Sequence, residues 1–239
     1  MNIVVISLPE AADRRAHMSA QMKATGLAWS FFDAIRVSEP PPEYDRDARR
    51  RWFGFDLSLG EIGCFLSHRA LWLACTRSGE RAWCILEDDL AVLPGFAETL
   101  AAVEAAAGWD IVRLMQLLPR RGWVQQRLPG GRSLLMFPRQ PSGGQGYLVT
   151  PHGASVMLAY TRRIWEPMDN AVDTYWRHGL NVFGVDPPVI AVAAGLESSV
   201  GTRGTSERPW WPGLKRDLSK GMGMVWRAAH NLRRYGRCW

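Results

Sequence analysis

A short β-rich run, Ile3-Val4-Val5-Ile6, opens the chain. A polar turn follows, then a helical stretch to about residue 24 that carries Arg14 and Arg15 in its first turns. A second apolar run over residues 29–32 ends at Asp33-Ala34. This strand–helix–strand order constrains the fold more than any other feature. Two strands joined by a helix pair parallel through a right-handed crossover, and the sheet they start needs helices on its faces. The expectation is an α/β fold with a mostly parallel central sheet flanked by helices.

The chain continues in the same alternation. Residues 38–55 hold Pro40-Pro41-Pro42 and Arg49-Arg50-Arg51 and read as a solvated loop or a flap. Ser58-x-x-Glu61 is a capping box, and a helix runs from it to about residue 77. Ile62, Leu66, Ala70 and Leu73 would be its core face. Residues 82–86 read as a strand. A helix with Phe96, Leu100, Val103 and Ala107 on one face comes next, then a strand over 110–115. Residues 117–139 suggest a hairpin or a loop excursion. A strand over 147–149, a helix over 151–163 and a helix over 171–178 follow, and then short strands over 181–185 and 189–192. With 239 residues and 47% hydrophobic content, the chain can bury one full core.

No apolar run reaches the roughly 18 residues of a membrane span, and the first residues lack a basic leader. Cys64, Cys75, Cys84 and Cys238 show no Cys-x-x-Cys spacing, which argues against a thiolate zinc site or a disulfide framework. The expectation from these features is a cytoplasmic protein with reduced cysteines.

Three consecutive carboxylates, Glu87-Asp88-Asp89, follow the strand over 82–86. Two such charges 4 Å apart repel by about 1 kcal/mol in bulk water and by more in a cleft. A hard divalent ion would remove that cost while keeping sites for water and phosphate. Ligands of open α/β sheets gather beyond the carboxyl ends of the strands, where this triplet falls. A solvated acidic turn is the alternative.

The order of motifs resembles glycosyltransferase family 25. The matching residues are Ile6-Ser7-Leu8, Arg14-Arg15, Phe32-Asp33-Ala34, the block from Leu57 through Gly60-Glu61-Ile62-Gly63-Cys64 to Ser67-His68, Ile85-Leu86-Glu87-Asp88-Asp89, Gly146-Tyr147-Leu148-Val149 with Gly153-Ala154, and Pro167-x-Asp169. The resemblance implies a GT-A-like domain over residues 1–195. It also implies Mn²⁺ or Mg²⁺, a UDP-sugar donor, inversion at the anomeric carbon, and a hexose such as galactose passed to a saccharide acceptor in lipooligosaccharide synthesis. Asp89 would be the firmest metal ligand, then Asp88, then Glu87, with the last two also facing the donor. Ser7, Leu8, Arg15, Asp33 and Ala34 would line the nucleotide site. Ser67 and His68 would line it too or brace the acidic loop. An inverting transfer needs a base; the resemblance points to Asp169, with Asp173 one turn later as second choice. Asp169 is equally placed to cap a helix.

Trp123, Trp165 and Trp176 are candidate sugar platforms, and the other tryptophans read as packing residues. A metal-dependent phosphoesterase and a non-catalytic binding module are the rival readings.

The charge is concentrated at one end. Residues 196–239 hold nine Lys and Arg against three acids, which accounts for the whole net charge of +6. Residues 195–213 read as a linker or lid. After it, Leu214, Leu218, Met222, Val225, Ala229 and Leu232 form one helical stripe flanked by basic residues. Such a helix suits an anionic membrane surface, at the inner face of the cytoplasmic membrane, where a lipid-linked saccharide acceptor would be found. Docking of the same stripe on the domain is the alternative. A neutral domain without a recognition motif argues against nucleic acid.

Overall fold

The computed structural model describes residues 1–193 and 211–238, with side chains placed for 1–193 and 221–238. The element order is β1 (Asn2–Ser7), α1 (Ala12–Thr25), β2 (Ser30–Asp33), α2 (Arg46–Phe53), α3 (Leu59–Arg77), β3 (Trp83–Glu87), β4 (Leu90–Val92), α4 (Phe96–Ala105), β5 (Ile111–Arg113), β6 (Trp123–Arg127), β7 (Ser133–Met136), β8 (Gly146–Val149), α5 (Pro151–Tyr160), α6 (Met168–Asp173), α7 (Tyr175–His178), β9 (Val182–Asp186), β10 (Ile190–Val192) and α8 (Trp211–Tyr235).

Eight strands form one sheet in the order β2-β1-β3-β8-β5-β9-β7-β6. β1 pairs parallel with both β2 and β3, and β5 pairs parallel with β9. β8 and β7 pair antiparallel with their neighbours. These two strands run against the other six, so the sheet is α/β as expected and parallel apart from them. Ile3, Val4, Val5 and Ile6 are all buried, as a central strand covered on both faces must be. The sheet core also takes Ile85, Leu86, Val112, Leu148 and Val185.

The chain leaves β1 toward β2 on one side and later returns to β3 on the other. That reversal opens a crevice at the carboxyl ends of β1 and β3, the place where open α/β sheets take ligands. A small antiparallel pair, β4 with β10, continues from β3. Gln21 of α1 holds β4 in place: its amide donates to the Leu90 carbonyl at 2.7 Å and its oxygen accepts from the Val92 N–H at 2.6 Å. The turn carrying Asp88 and Asp89 is thus fixed at both ends.

Several expectations are corrected. Residues 38–55 are not all loop: Asp45 accepts from the Ala48 N–H and starts α2. On the helix after the capping box, Leu73 is exposed and the buried row is Ile62, Phe65, His68, Trp72 and Cys75. This row packs between the sheet and α5. The helix expected over 171–178 is two short ones, α6 and α7, meeting at Thr174. Residues 117–139, by contrast, contain a hairpin as expected, β6 with β7. The linker over 195–213 lies mostly outside the described residues, although its last three residues already belong to α8. The side chains of Leu214 and Leu218 also lie outside the described residues.

α8 departs from the alternative in which its apolar stripe docks on the domain. It lies against α2 and α7, but not through its apolar stripe. Asn231 accepts from the Tyr175 hydroxyl at 2.8 Å, and Arg234 and Tyr235 both donate to the Asn181 side-chain oxygen. The Arg227 guanidinium sits 5.4 Å from the Trp176 ring centre. The described part of the stripe faces away: Met222 and Val225 are 63% and 69% exposed, Ala229 and Leu232 are exposed with them, and Trp226, off the stripe, is exposed as well. Among the described residues, no helix is long and apolar enough to cross a membrane.

Candidate functional site

The crevice is a cavity of about 330 Å³, lined by the end of β1 (Ile6, Ser7, Leu8), the segment after β2 (Ala34 to Val37), the start of α3 (Leu59, Gly60, Cys64), Arg14, and Glu87, Asp88 and Asp89. Its volume is at the small end for a ligand site, roughly 300–1,000 Å³. Parallel register fixes its floor. Ile6 lies opposite Glu87, so Ser7 comes beside Asp88.

The first turn of α3 opens on the cavity and adds the positive end of a 19-residue helix. Its cap is complete: Ser58 Oγ accepts from the Glu61 N–H and Glu61 accepts from the Ser58 N–H. Gly63 lets this helix approach the β2 exit. A Cβ there would stand 2.4 Å from the Ile35 carbonyl oxygen. Ser67 stitches the same contact, accepting from the Ile35 N–H and donating to the Gly63 carbonyl, both at 2.8 Å. Ser67 therefore braces the cavity wall.

The three acids differ. Asp88 is buried, accepts the Ser7 hydroxyl at 2.6 Å and pairs with Arg14 at 3.2 Å. Asp89 meets Arg14 at 3.4 Å through one oxygen, while its other oxygen is buried with no partner. Burial, and after it the charges of Glu87 and Asp88, push the Asp89 carboxyl up to about 6 despite Arg14. An orphaned carboxylate oxygen among like charges fits a hard divalent cation. Glu87 turns toward α3 and lies 3.5 Å from His68 Nε2 and 3.9 Å from Cys64 Sγ. Burial, then the charges of Glu87, Asp169 and Asp89, hold the Cys64 thiol well above its ordinary range.

Arg14, rather than Arg15, faces this site. Arg15 donates to the Ser7 and Leu8 carbonyls and pairs with Asp33, tying the ends of β1 and β2 together at the rim. Successive helical residues point about 100° apart, and nothing local in Arg14-Arg15 tells which one faces the strand ends. His68 is fully buried, with Nδ1 at 2.8 Å from the Tyr147 hydroxyl, which also accepts from Trp72 Nε1 at 2.9 Å.

Asp169 and Asp173 lie on α6, which packs against α3 but does not line the cavity. Asp173 is engaged by the buried Arg113 and by the Ser142 hydroxyl. Among the described residues, the Asp169 carboxylate accepts only from the Asn170 N–H, at 2.9 Å. Glu166, unremarked in the sequence, is buried with an unpartnered oxygen. Burial drives its carboxyl up to about 7. Of the candidate platforms, Trp123 and Trp176 lie under Tyr235 and Arg227 of α8, and Trp165 packs on Phe53.

The sequence model of glycosyltransferase family 25 (LPS biosynthesis protein) matches residues 1–172. The chain is 36% identical over 160 residues to the lacto-N-neotetraose biosynthesis glycosyltransferase LgtB of Neisseria gonorrhoeae, covering 61% of this chain and 56% of that protein. It is 29% identical over 181 residues to a putative glycosyltransferase of Haemophilus influenzae, covering 71% of this chain and 60% of that one. The chain thus spans under two thirds of the length of these curated relatives. A crystal structure of a glycosyltransferase involved in glycosylation of the major capsid of PBCV-1 superposes over 92% of this chain and 98% of its own. Its TM-score is 0.44 and its identity 9%, too distant a likeness to carry an argument.

Proposed function

Because the chain belongs to glycosyltransferase family 25, we propose that it transfers a hexose, galactose first among candidates, from a UDP-sugar to a saccharide acceptor of lipooligosaccharide type. One observation carries the reading. The crevice at the β1 and β3 ends combines a buried carboxylate oxygen without a partner, an arginine and a helix N-terminus. That combination suits a cation and a diphosphate together.

In this reading residues 1–195 form the donor domain. Asp89, Asp88 and Glu87 would hold Mn²⁺ or Mg²⁺. The ion, when bound, would offset the charge gathering on the departing diphosphate. Ser7 fixes the rotamer of Asp88. Arg14 spans Asp88 and Asp89, and on donor binding its guanidinium is free to exchange a carboxylate for a phosphate oxygen, a comparable partner in geometry. Leu8, Ala34 and the segment braced by Ser67 border the nucleotide, while Arg15 and Asp33 hold its rim.

The acceptor hydroxyl loses a proton as the new bond forms, and Asp169 takes it. Asp169 is preferred over Asp173 because its carboxylate lacks the arginine partner that engages Asp173. Residues 196–239 act as a membrane-facing extension. The outward stripe of α8, with Arg233 and Arg237 exposed near it, suits an anionic lipid surface carrying a lipid-linked acceptor.

The test is a screen of UDP-sugars with and without Mn²⁺, following UDP release and thermal shift. Expected are stabilisation by UDP plus Mn²⁺, acceptor-dependent UDP release, and loss of both in Asp89→Ala. Hydrolysis of the donor at the same rate without any acceptor would favour a phosphoesterase. No UDP binding and no turnover would favour a binding module.

A further inference from the structure

Cys64 and His68 stand one turn apart on α3, so their side chains leave the same face of the helix. Glu87, the last residue of β3, faces them. Cys64 Sγ, His68 Nε2 and a Glu87 carboxylate oxygen all lie within 4.8 Å of one another, with Nε2 3.5 Å and Sγ 3.9 Å from Glu87 Oε1. A tetrahedral zinc site, with bonds of about 2.0–2.3 Å, places its ligand atoms about 3.3–3.8 Å apart. The three atoms therefore need only small rotamer adjustments to share an ion.

A second observation points the same way. His68 is fully buried and its Nε2 has no hydrogen-bond partner, although Glu87 is near. A buried polar atom left so is rare and costly. The opposite ring nitrogen is held by Tyr147, itself held by Trp72. A ligating imidazole is typically steadied by a partner on its other nitrogen in this way.

We propose that Cys64, His68 and Glu87 form a site for a thiophilic divalent ion of the Zn²⁺ or Co²⁺ class, with its fourth position open to the cavity that Cys64 and Glu87 line. The thiol proton leaves to solvent as the thiolate binds, and the imidazole binds through Nε2 with its proton on Nδ1, toward the Tyr147 oxygen. Sulfur and imidazole select against Mg²⁺ and Mn²⁺, which prefer the all-oxygen pair Asp88 and Asp89. Glu87 belongs to both sets. Zn²⁺ therefore withdraws Glu87 from the donor site and inhibits transfer, a consequence that alone rests on the function proposed above.

Full-length chain, stripped with chelator and kept reduced, is titrated with Co²⁺. A thiolate-to-cobalt charge-transfer band should saturate at one equivalent. It should yield to equimolar Zn²⁺ and persist in excess Mn²⁺ or Mg²⁺. Cys64→Ser should abolish the band and Cys238→Ser should keep it. Tyr147→Phe should weaken the ion about ten- to hundredfold. Absence of the band, or its survival in Cys64→Ser, overturns the site. Should Cys64→Ser not fold, zinc-edge absorption on the wild-type chain decides: one sulfur in the shell supports the site and none overturns it. A chain that shows the cobalt band but transfers no sugar would sink the proposed function and leave this site standing.

Discussion

Asp89 and Arg14 are the residues through which the site's electrostatics can be read. The Asp89 carboxyl is raised from an ordinary value of 3.8 to about 6, mainly by burial. Between those values the folded chain holds a proton that the unfolded chain has released. Folding stability from this group therefore falls as pH rises through that window, by about 3 kcal/mol at most at about 1.4 kcal/mol per pH unit. Asp89→Asn should remove that fall: in chelator, the variant and the wild type melt alike near pH 4, and the variant melts higher near pH 8. The same substitution should abolish stabilisation by Mn²⁺, which in the wild type weakens below about pH 6 as protons compete. Melting curves across pH, with and without the ion, check both.

Arg14→Gln separates cation from donor. Without the guanidinium, Asp88 and Asp89 repel unopposed, so a divalent ion alone should bind more tightly. UDP should bind about tenfold or more weakly, since a charge-assisted pair to phosphate is lost. Calorimetry with Mn²⁺ alone and then with UDP shows whether the two effects carry opposite signs.

At the scale of elements, α3 does most to shape the cavity. Its start was legible in Ser58-x-x-Glu61, because a cap is a local affair between side chains and backbone N–H groups. Its buried face was not, because α3 packs between the sheet and α5 and hides residues that a single stripe does not predict. Ser58→Ala should cost about 1 kcal/mol in urea unfolding and leave donor binding near normal. Gly63→Ala should do more harm. The added methyl meets backbone, the Ile35 carbonyl at 2.4 Å, and the segment that lines the cavity must retreat. UDP affinity should fall along with stability. A Gly63→Ala chain that binds UDP like the wild type would show that this wall does not touch the nucleotide.

α2 was missed for a different reason. Its inward side is led by Arg49, buried with its guanidinium 4.2 Å from the Phe53 ring centre and 4.6 Å from that of Phe55. Apolar periodicity counts an arginine as exposed, so a helix that stacks one on aromatic rings reads as loop.

At the scale of the whole molecule, α8 docks by its polar face and leaves its apolar stripe outward. The stripe through Met222, Val225, Ala229 and Leu232 exists, and the opposite face carries Arg227, Asn231 and Tyr235 onto the domain. Apolar side chains turned outward on a basic helix predict binding to vesicles containing anionic lipid. Sedimentation should show this binding, weakened by salt through its electrostatic part. Val225→Glu with Trp226→Glu should reduce it at least tenfold without lowering the melting temperature, since both side chains are exposed. Equal sedimentation of the variant would remove the membrane from the proposal.

From its residues alone the chain declared an α/β fold, the acidic strand end, the capped helix beside it and the family motifs, because each is written in neighbours along the sequence. The tertiary structure decided which arginine enters the cavity, that Asp88 is engaged by Ser7 and Arg14 while one Asp89 oxygen is left without a partner, that Cys64, His68 and Glu87 converge, and which face of α8 docks. These depend on the register of β1 against β3 and on the rotation of helices against the sheet, quantities set by packing between segments far apart in the chain.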